Sequence, residues 1–155
     1  GLNETDKAMQ YLFEELNKSE RNITVVFFGD HYPPFAKQLV ANNENFKTDY
    51  FVYQNYQKNK LNYPFISTNF LSSVALKKMD IIKSPFYNFL DNLLSDFTVI
   101  HNGTIVRPNQ LNFEPIDKYQ DLKLKYDQFK VLQYDIVAGK QISIKNKYYY
   151  ADQNK

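Results

Sequence analysis

Residues Ile23-Thr24-Val25-Val26-Phe27-Phe28 form a short run that is rich in β-branched residues and nearly all apolar. Such a run suits a strand covered on both faces, because a half-exposed strand would alternate apolar with polar residues. Just before it, Ala8, Met9, Leu12, Phe13 and Leu16 recur at helical spacing. Asn3 is placed as an N-cap and Asp6 sits in the first turn, so the pattern predicts an amphipathic helix over 4–17. A helix followed by a buried strand is the rhythm of an α/β protein.

The remaining chain continues in the same style. Gly29-Asp30-His31-Tyr32-Pro33-Pro34 stops the strand, and the prolines can open a short helix through Phe35, Leu39 and Val40. Asn42 to Asn45 reads as a loop, Asp49 to Tyr53 as a second strand, and Gln54 to Asn62 as an exposed connection. Ser67 or Thr68 is placed to cap a helix carrying Phe70, Leu71, Val74, Ala75 and Met79. Ser84-Pro85 reads as N-cap and first helical residue, with Phe86, Phe89, Leu90, Leu93 and Leu94 as the apolar stripe. Residues 97–106 read as a hairpin, since Asn102-Gly103 is a preferred pair for a type I′ turn. Tyr119, Leu122, Tyr126, Phe129 and Ile136 predict a long amphipathic helix over 117–137, closed by Gly139. The tail around Tyr148-Tyr149-Tyr150 carries no clear period. With no internal linker in view, 1–155 reads as a single unit.

Composition narrows the function classes. The 155 residues are 43% hydrophobic and 23% charged, with 13 Phe and 13 Tyr, which supplies enough apolar area for a folded core. A net charge of +2 gives no electrostatic case for nucleic acid. The absence of Cys removes disulfides, thiolate metal sites and a Cys nucleophile. No apolar run reaches the roughly 18–20 residues of a membrane span. Only four Gly are present, and no Gly-rich phosphate loop is among them. Asn-X-Ser/Thr sequons begin at Asn3, Asn17, Asn22 and Asn102, as expected by chance in an Asn-rich chain. The chain opens on Gly1 and enters a helical pattern at once, so the expectation is a piece of a longer protein.

The chemistry-bearing motif is Gly29-Asp30-His31. Ligands of open α/β sheets gather at the C-terminal ends of strands, and these residues directly follow one. A carboxylate oxygen and an imidazole nitrogen are ligands for Zn²⁺ or Mn²⁺. The same tripeptide also fits a plain strand-terminating Gly-Asp turn with a His beside it, and two ligands fall short of the three or four of a closed site. His101, the other His, flanks the Asn-Gly turn and reads as a hairpin-surface residue. Lys58-Asn59-Lys60 and Lys77-Lys78 read as solvated faces.

Four segments, in order, carry a resemblance. They are Thr24 to Pro33, Thr48 to Asn55, Ser67 to Leu94 with its Ser84-Pro85-Phe86-Tyr87 layout, and Leu132 to Gln141. Together they resemble the C-terminal part of the sulfatase-type branch of the alkaline phosphatase superfamily, and most closely its lipoteichoic acid synthase and phosphoglycerol transferase family. The resemblance spans about residues 5–141. It implies an α/β fold, namely the C-terminal portion of an alkaline-phosphatase-like sandwich, with a few-stranded sheet and flanking helices.

The resemblance also implies an activity. In that family a divalent metal, often Mn²⁺, is held by a Glu, a Thr nucleophile, and the Asp and His of the Gly-Asp-His motif. Asp30 and His31 would be two of the ligands. Mn²⁺ is the first expectation, with Zn²⁺, Mg²⁺ or Ca²⁺ as alternatives. The Thr nucleophile and the Glu map onto no position of this chain, so no catalytic residue is assigned here and the isolated segment is expected to be inactive. The implied partners are an anionic lipid headgroup or envelope polymer as substrate, and the upstream part of the same catalytic domain, with no nucleic acid. The implied location is the extracellular face of the cell membrane, anchored by N-terminal transmembrane helices absent from this chain. Two other readings stand beside this one: a non-catalytic cell-wall glycan-binding module using exposed Tyr and Phe, and a degenerate family member kept for regulation.

Overall fold

The computed structural model describes residues 2–31, 47–57 and 63–151. The chain divides into two compact units, Gly1–Leu61 and Asn62–Lys155. The expected Pro33-Pro34 helix, the Asn42 to Asn45 loop and Lys58-Asn59-Lys60 lie outside the described residues.

The first unit is a helix on a two-stranded ribbon. Helix α1 (Leu2–Lys18) extends two residues before and one residue after the predicted span. Strand β1 (Thr24–Phe28) pairs antiparallel with β2 (Tyr50–Gln54), with Phe27 opposite Phe51 and Val25 opposite Tyr53. Because side chains alternate along a strand, these four share one face, and α1 packs there through Phe13. The Phe13 ring lies 5.7 Å from Phe27, 6.2 Å from Phe51 and 4.6 Å from Tyr53. Phe27 stacks on Phe51 at 4.6 Å. The aromatic residues here are packing groups rather than a flat platform.

The apolar run of β1 predicts burial on both faces, and this is not what the unit provides. Its residues are half-buried, and Phe28 is 53% exposed. One helix can cover only one face of a two-stranded ribbon. Gln54 and Asn55 also differ from the expected exposed connection. Gln54 ends β2, is buried, and donates to Thr24 Oγ1 at 3.1 Å and Tyr56 Oη at 2.7 Å. Asn55 is a clamp. Its Oδ1 accepts from the Ile23 amide at 2.8 Å, and its Nδ2 donates to the carbonyls of Leu16 and Arg21, each at 2.9 Å. The helix end and the strand start are thereby tied to one side chain.

The second unit holds the core. A single 3₁₀ turn (Thr68–Phe70) leads into α2 (Leu71–Met79), followed by α3 (Pro85–Leu94). The Ser84 hydroxyl accepts from the Tyr87 amide, with Pro85 at the first helical position, as the Ser-Pro pair predicts. Ser67 does not cap α2. Its hydroxyl accepts instead from the Ile100 amide at 2.9 Å, because the segment runs beside the hairpin and its own amide donates to the Thr98 carbonyl. Strands β3 (Val99–His101) and β4 (Thr104–Val106) form the expected hairpin, with φ of 43° at Asn102 and 77° at Gly103. Positive φ at both central residues is what a type I′ turn requires. A third strand, β5 (Glu114–Pro115), pairs with β4 and was not legible in the sequence.

Phe70, Val74, Leu90, Leu93, Phe97, Ile105 and Val106 are almost fully excluded from solvent. Helix α4 (Gln120–Val137) adds Leu122, Tyr126 and Phe129 to this cluster. The buried Ser73 hydroxyl donates to Asp91 at 2.5 Å, and Lys83 pairs with the other Asp91 oxygen, so no charge is left bare. Ile136, expected on the buried stripe, is 37% exposed. A helix of 18 residues is about 27 Å long, and its last turns run past the core. Gly139 closes it where a Cβ would sit 2.6 Å from the Asp135 Cα. Asp135 then caps the last helix, α5 (Ile142–Lys145), accepting from the Ile142 and Ser143 amides at 3.0 and 2.8 Å. The tail beyond packs Tyr149 on Phe86 at 4.7 Å.

Candidate functional site

β1 ends at Phe28, and Gly29 stays bonded to the residues that lead into β2. The Gly29 amide donates to the Asp49 carbonyl at 3.1 Å, while the Thr48 hydroxyl donates to the Gly29 carbonyl at 2.6 Å. A Cβ on Gly29 would stand 2.9 Å from the Thr48 Cβ. The small residue is therefore required by close approach, and Thr48 fixes the point at which the next two side chains leave the ribbon. Sequence reasoning did not single out Thr48. Its signal is weak, since a hydroxyl residue preceding a strand is common.

Asp30 and His31 follow directly, at the C-terminal end of β1 as expected. The His31 amide donates to Asp30 Oδ1 at 2.9 Å, which holds the carboxylate over its own turn. Asp30 Oδ2 lies 3.5 Å from His31 Nε2. The side chains are 79% and 69% exposed, respectively. An oxygen and a nitrogen donor thus project together from a braced turn into open space. His101 belongs to the second unit, where its Nε2 is 3.2 Å from Asn102 Nδ2 and its ring stands edge-on to Phe113 at 6.3 Å.

The donor set fits part of a divalent-metal site. A carboxylate oxygen and an imidazole nitrogen are hard-to-intermediate donors that suit Mn²⁺ or Zn²⁺. Among the described residues no group of three or more His, Cys, Asp or Glu gathers as a metal ligand set. Asp30 and His31 are therefore a pair that needs further ligands.

A polar stripe of α4 escaped the sequence reading. Lys123, Asp127, Lys130 and Gln133 border a cavity of about 550 Å³ beside the β3–β4 turn. Reading the polar face of the 117–137 helix as closely as its apolar stripe would have found it, but the hairpin opposite is supplied only by the fold.

With this geometry in hand, comparison with known proteins is informative. Residues 1–81 match the sulfatase family, and the chain belongs to it. It is 25% identical over 161 aligned positions to a Rhizobium meliloti protein named for the modification of cyclic β-1,2-glucan, covering 92% of this chain and 25% of that protein. Among solved structures it resembles the Streptococcus pyogenes phosphoglycerol transferase GacH in complex with sn-glycerol-1-phosphate. The TM-score is 0.68 at 28% identity, over 94% of this chain and 35% of GacH. The chain thus spans about a quarter to a third of the relatives it matches. Its helices and small antiparallel sheets have the alkaline-phosphatase-like fold of such a transferase. The resemblance drawn from the four sequence segments is the correct one. Among the described residues no helix is long and apolar enough to cross a membrane.

Proposed function

We propose that this chain is the C-terminal part of the catalytic domain of a phosphoglycerol transferase, in which Asp30 and His31 complete the ligand set of a divalent cation, Mn²⁺ foremost. The observation that carries this reading is the paired Asp30 and His31 donors leaving the end of β1, in a sulfatase-family chain whose fold matches a phosphoglycerol transferase. Further ligands and the nucleophile come from the rest of the domain, so the segment by itself is inactive and holds metal weakly. The substrate is an anionic lipid headgroup or an envelope polymer, and the enzyme works at the outer face of the cell membrane.

This chain's own residues have definable tasks. Asp30 presents negative charge, and the His31 amide fixes the rotation of its carboxylate. His31 adds an imidazole nitrogen beside it. Thr48 and Gly29 hold the turn in place, so that the donors are set before any ligand arrives. A divalent cation held here would supply Lewis acidity toward phosphoryl oxygens and ease ionisation of a hydroxyl nucleophile.

The test is Mn²⁺-dependent release of the headgroup from a phosphatidylglycerol analogue by the longer protein, beside its His31→Ala variant. Turnover should fall more than about 100-fold, beyond the 10–100-fold typical of groups that merely orient metal ligands. Unchanged turnover in the variant would remove His31 from the site. A parent without turnover on this or a sulfate-ester substrate would favour the degenerate, regulatory reading.

A further inference from the structure

The C-terminal end of the chain stands apart by its charge. Residues 1–135 hold 15 Lys and Arg against 16 Asp and Glu, whereas residues 136–155 hold four Lys and one acid, Asp152. The net positive charge of the chain therefore lies in this last stretch. Lys140, Lys145 and Lys147 are exposed on the corner made by the end of α4, the Gly139 turn and α5. Asp135, the acid nearest to them in sequence within α4, is engaged by α5 itself, through the Ile142 amide and the Ser143 amide and hydroxyl.

Apolar side chains stand open on the same corner. Val137 is 85% exposed, the most of any large apolar residue among those described, and Tyr134, Ile142 and Tyr150 are each more than half exposed. This is not the fraying of a loose tail. The Ala138 and Gly139 amides both donate to the Tyr134 carbonyl, at 2.9 and 2.8 Å, and the Gln141 amide donates to the Asp135 carbonyl at 3.2 Å. Beyond α5, the Phe86 amide of α3 donates to the Tyr148 carbonyl at 3.1 Å. The backbone fixes the corner and holds these side chains out.

Single exposed apolar residues are ordinary, but a cluster of them rimmed by charge marks a contact surface. Its composition decides the kind of contact. Protein–protein interfaces are depleted in Lys. At a bilayer surface, valine and isoleucine enter the acyl boundary, tyrosine sits at headgroup level, and lysine lays its stem on apolar surface while its ammonium meets lipid phosphate. We propose that the corner of α4 and α5 docks on the surface of an anionic bilayer, through Val137, Ile142 and Tyr150 and through Lys140, Lys145 and Lys147. The inference needs neither cation nor turnover, so it stands apart from the reading of Asp30 and His31.

The test is flotation of the 155-residue chain with vesicles of phosphatidylglycerol and phosphatidylcholine in equal parts, beside vesicles of phosphatidylcholine alone. The expected result is capture by the first and much less by the second, weakening as salt screens the charges. Lys140→Gln, Lys145→Gln and Lys147→Gln should each weaken capture about 5-fold, the effect of one basic residue near an anionic surface. Val137→Ser combined with Ile142→Ser should weaken it about 10-fold or more. The circular dichroism of each variant should be unchanged. The chain has no Trp, so Tyr150→Trp supplies a single reporter whose emission should shift to the blue on the anionic vesicles. Four results would overturn the proposal: no capture by the phosphatidylglycerol vesicles, equal capture by both kinds, folded variants that all bind as the unmodified chain does, or a reporter left unshifted on captured chain. Two more would assign the corner to another occupant and overturn it as well. One is a loss of stability on Val137→Ser in the longer protein but not in the 155-residue chain, which would mean that the rest of that protein covers the corner. The other is a dimer of the 155-residue chain that the same change dissociates. Should a variant unfold, capture of the unmodified chain and the Tyr150→Trp shift decide.

Discussion

The two units solve the problem of folding with different means. In Asn62–Lys155 a conventional core forms, and every buried apolar side chain among the described residues lies between Phe70 and Phe129. In Gly1–Leu61 the aromatic contacts are half-exposed, and the order comes from polar ties: Asn55 on the helix end, Thr48 on Gly29, and the Tyr53 hydroxyl donating to Asn17 at 2.7 Å. The Asp30-His31 pair sits on the unit with the thinner core. A two-stranded ribbon is marginal on its own, so specific hydrogen bonds carry the precision that burial supplies elsewhere.

Removing the ring of Phe97 should have the largest effect. The side chain is fully buried, and Phe97→Ala should cost about 3–5 kcal/mol. Denaturant unfolding followed on signals of the second unit would measure it. A loss under about 1 kcal/mol, the size of an ordinary point mutation, would mean that this core is loosely packed and the contrast between units is false.

Asn55→Ala should cost about 1–3 kcal/mol, because it leaves the Ile23 amide and the Leu16 and Arg21 carbonyls unmet. Amide exchange should quicken at Ile23 while the amides of Leu90 and Leu93 keep their protection. Equal acceleration in both places would show that the polar ties do not act locally.

The smallest effect concerns α5. The Ser143 hydroxyl and amide, then the Ile142 amide, hold the Asp135 carboxyl below its ordinary value of 3.8, against a smaller opposing effect of desolvation. A depressed carboxylate contributes stability that is fully present above the ordinary value and is lost as pH falls through the folded value. The protection factor of the Ser143 amide, its exchange rate corrected for the intrinsic pH dependence, should therefore stay flat down to about pH 4 and fall below it. Asp135→Asn should remove most of that acid dependence. A variant with the same acid profile as the unmodified chain would leave the cap without a role.

Much of this organisation was legible because it is local. Ser84-Pro85 specified a helix start, Asn102-Gly103 a type I′ turn, and the spacing of Ala8 to Leu16 a helix face, each from neighbours within one or two turns of chain. Gly29-Asp30-His31 could be placed at a strand end for the same reason. The two-residue strand β5 lacked any periodicity to detect. The tail was unreadable because its order rests on Asp135 and Phe86, the latter more than sixty positions away. The exposure of Phe28 was misread because an apolar run states what a strand can bury, not what is available to cover it.

By itself, then, the sequence determined most element types, turn chemistry, family and the placement of Asp30 and His31 at a strand end, since all of these depend on residue type and short-range spacing. Tertiary structure decided which side chain met each orphaned backbone group, as with Ser67 on Ile100 and Asn55 on Ile23. It also set the polar stripe of α4 opposite the hairpin turn and so created a cavity. These are meetings between distant segments, and a one-dimensional pattern records what each segment offers but not the partner it finds.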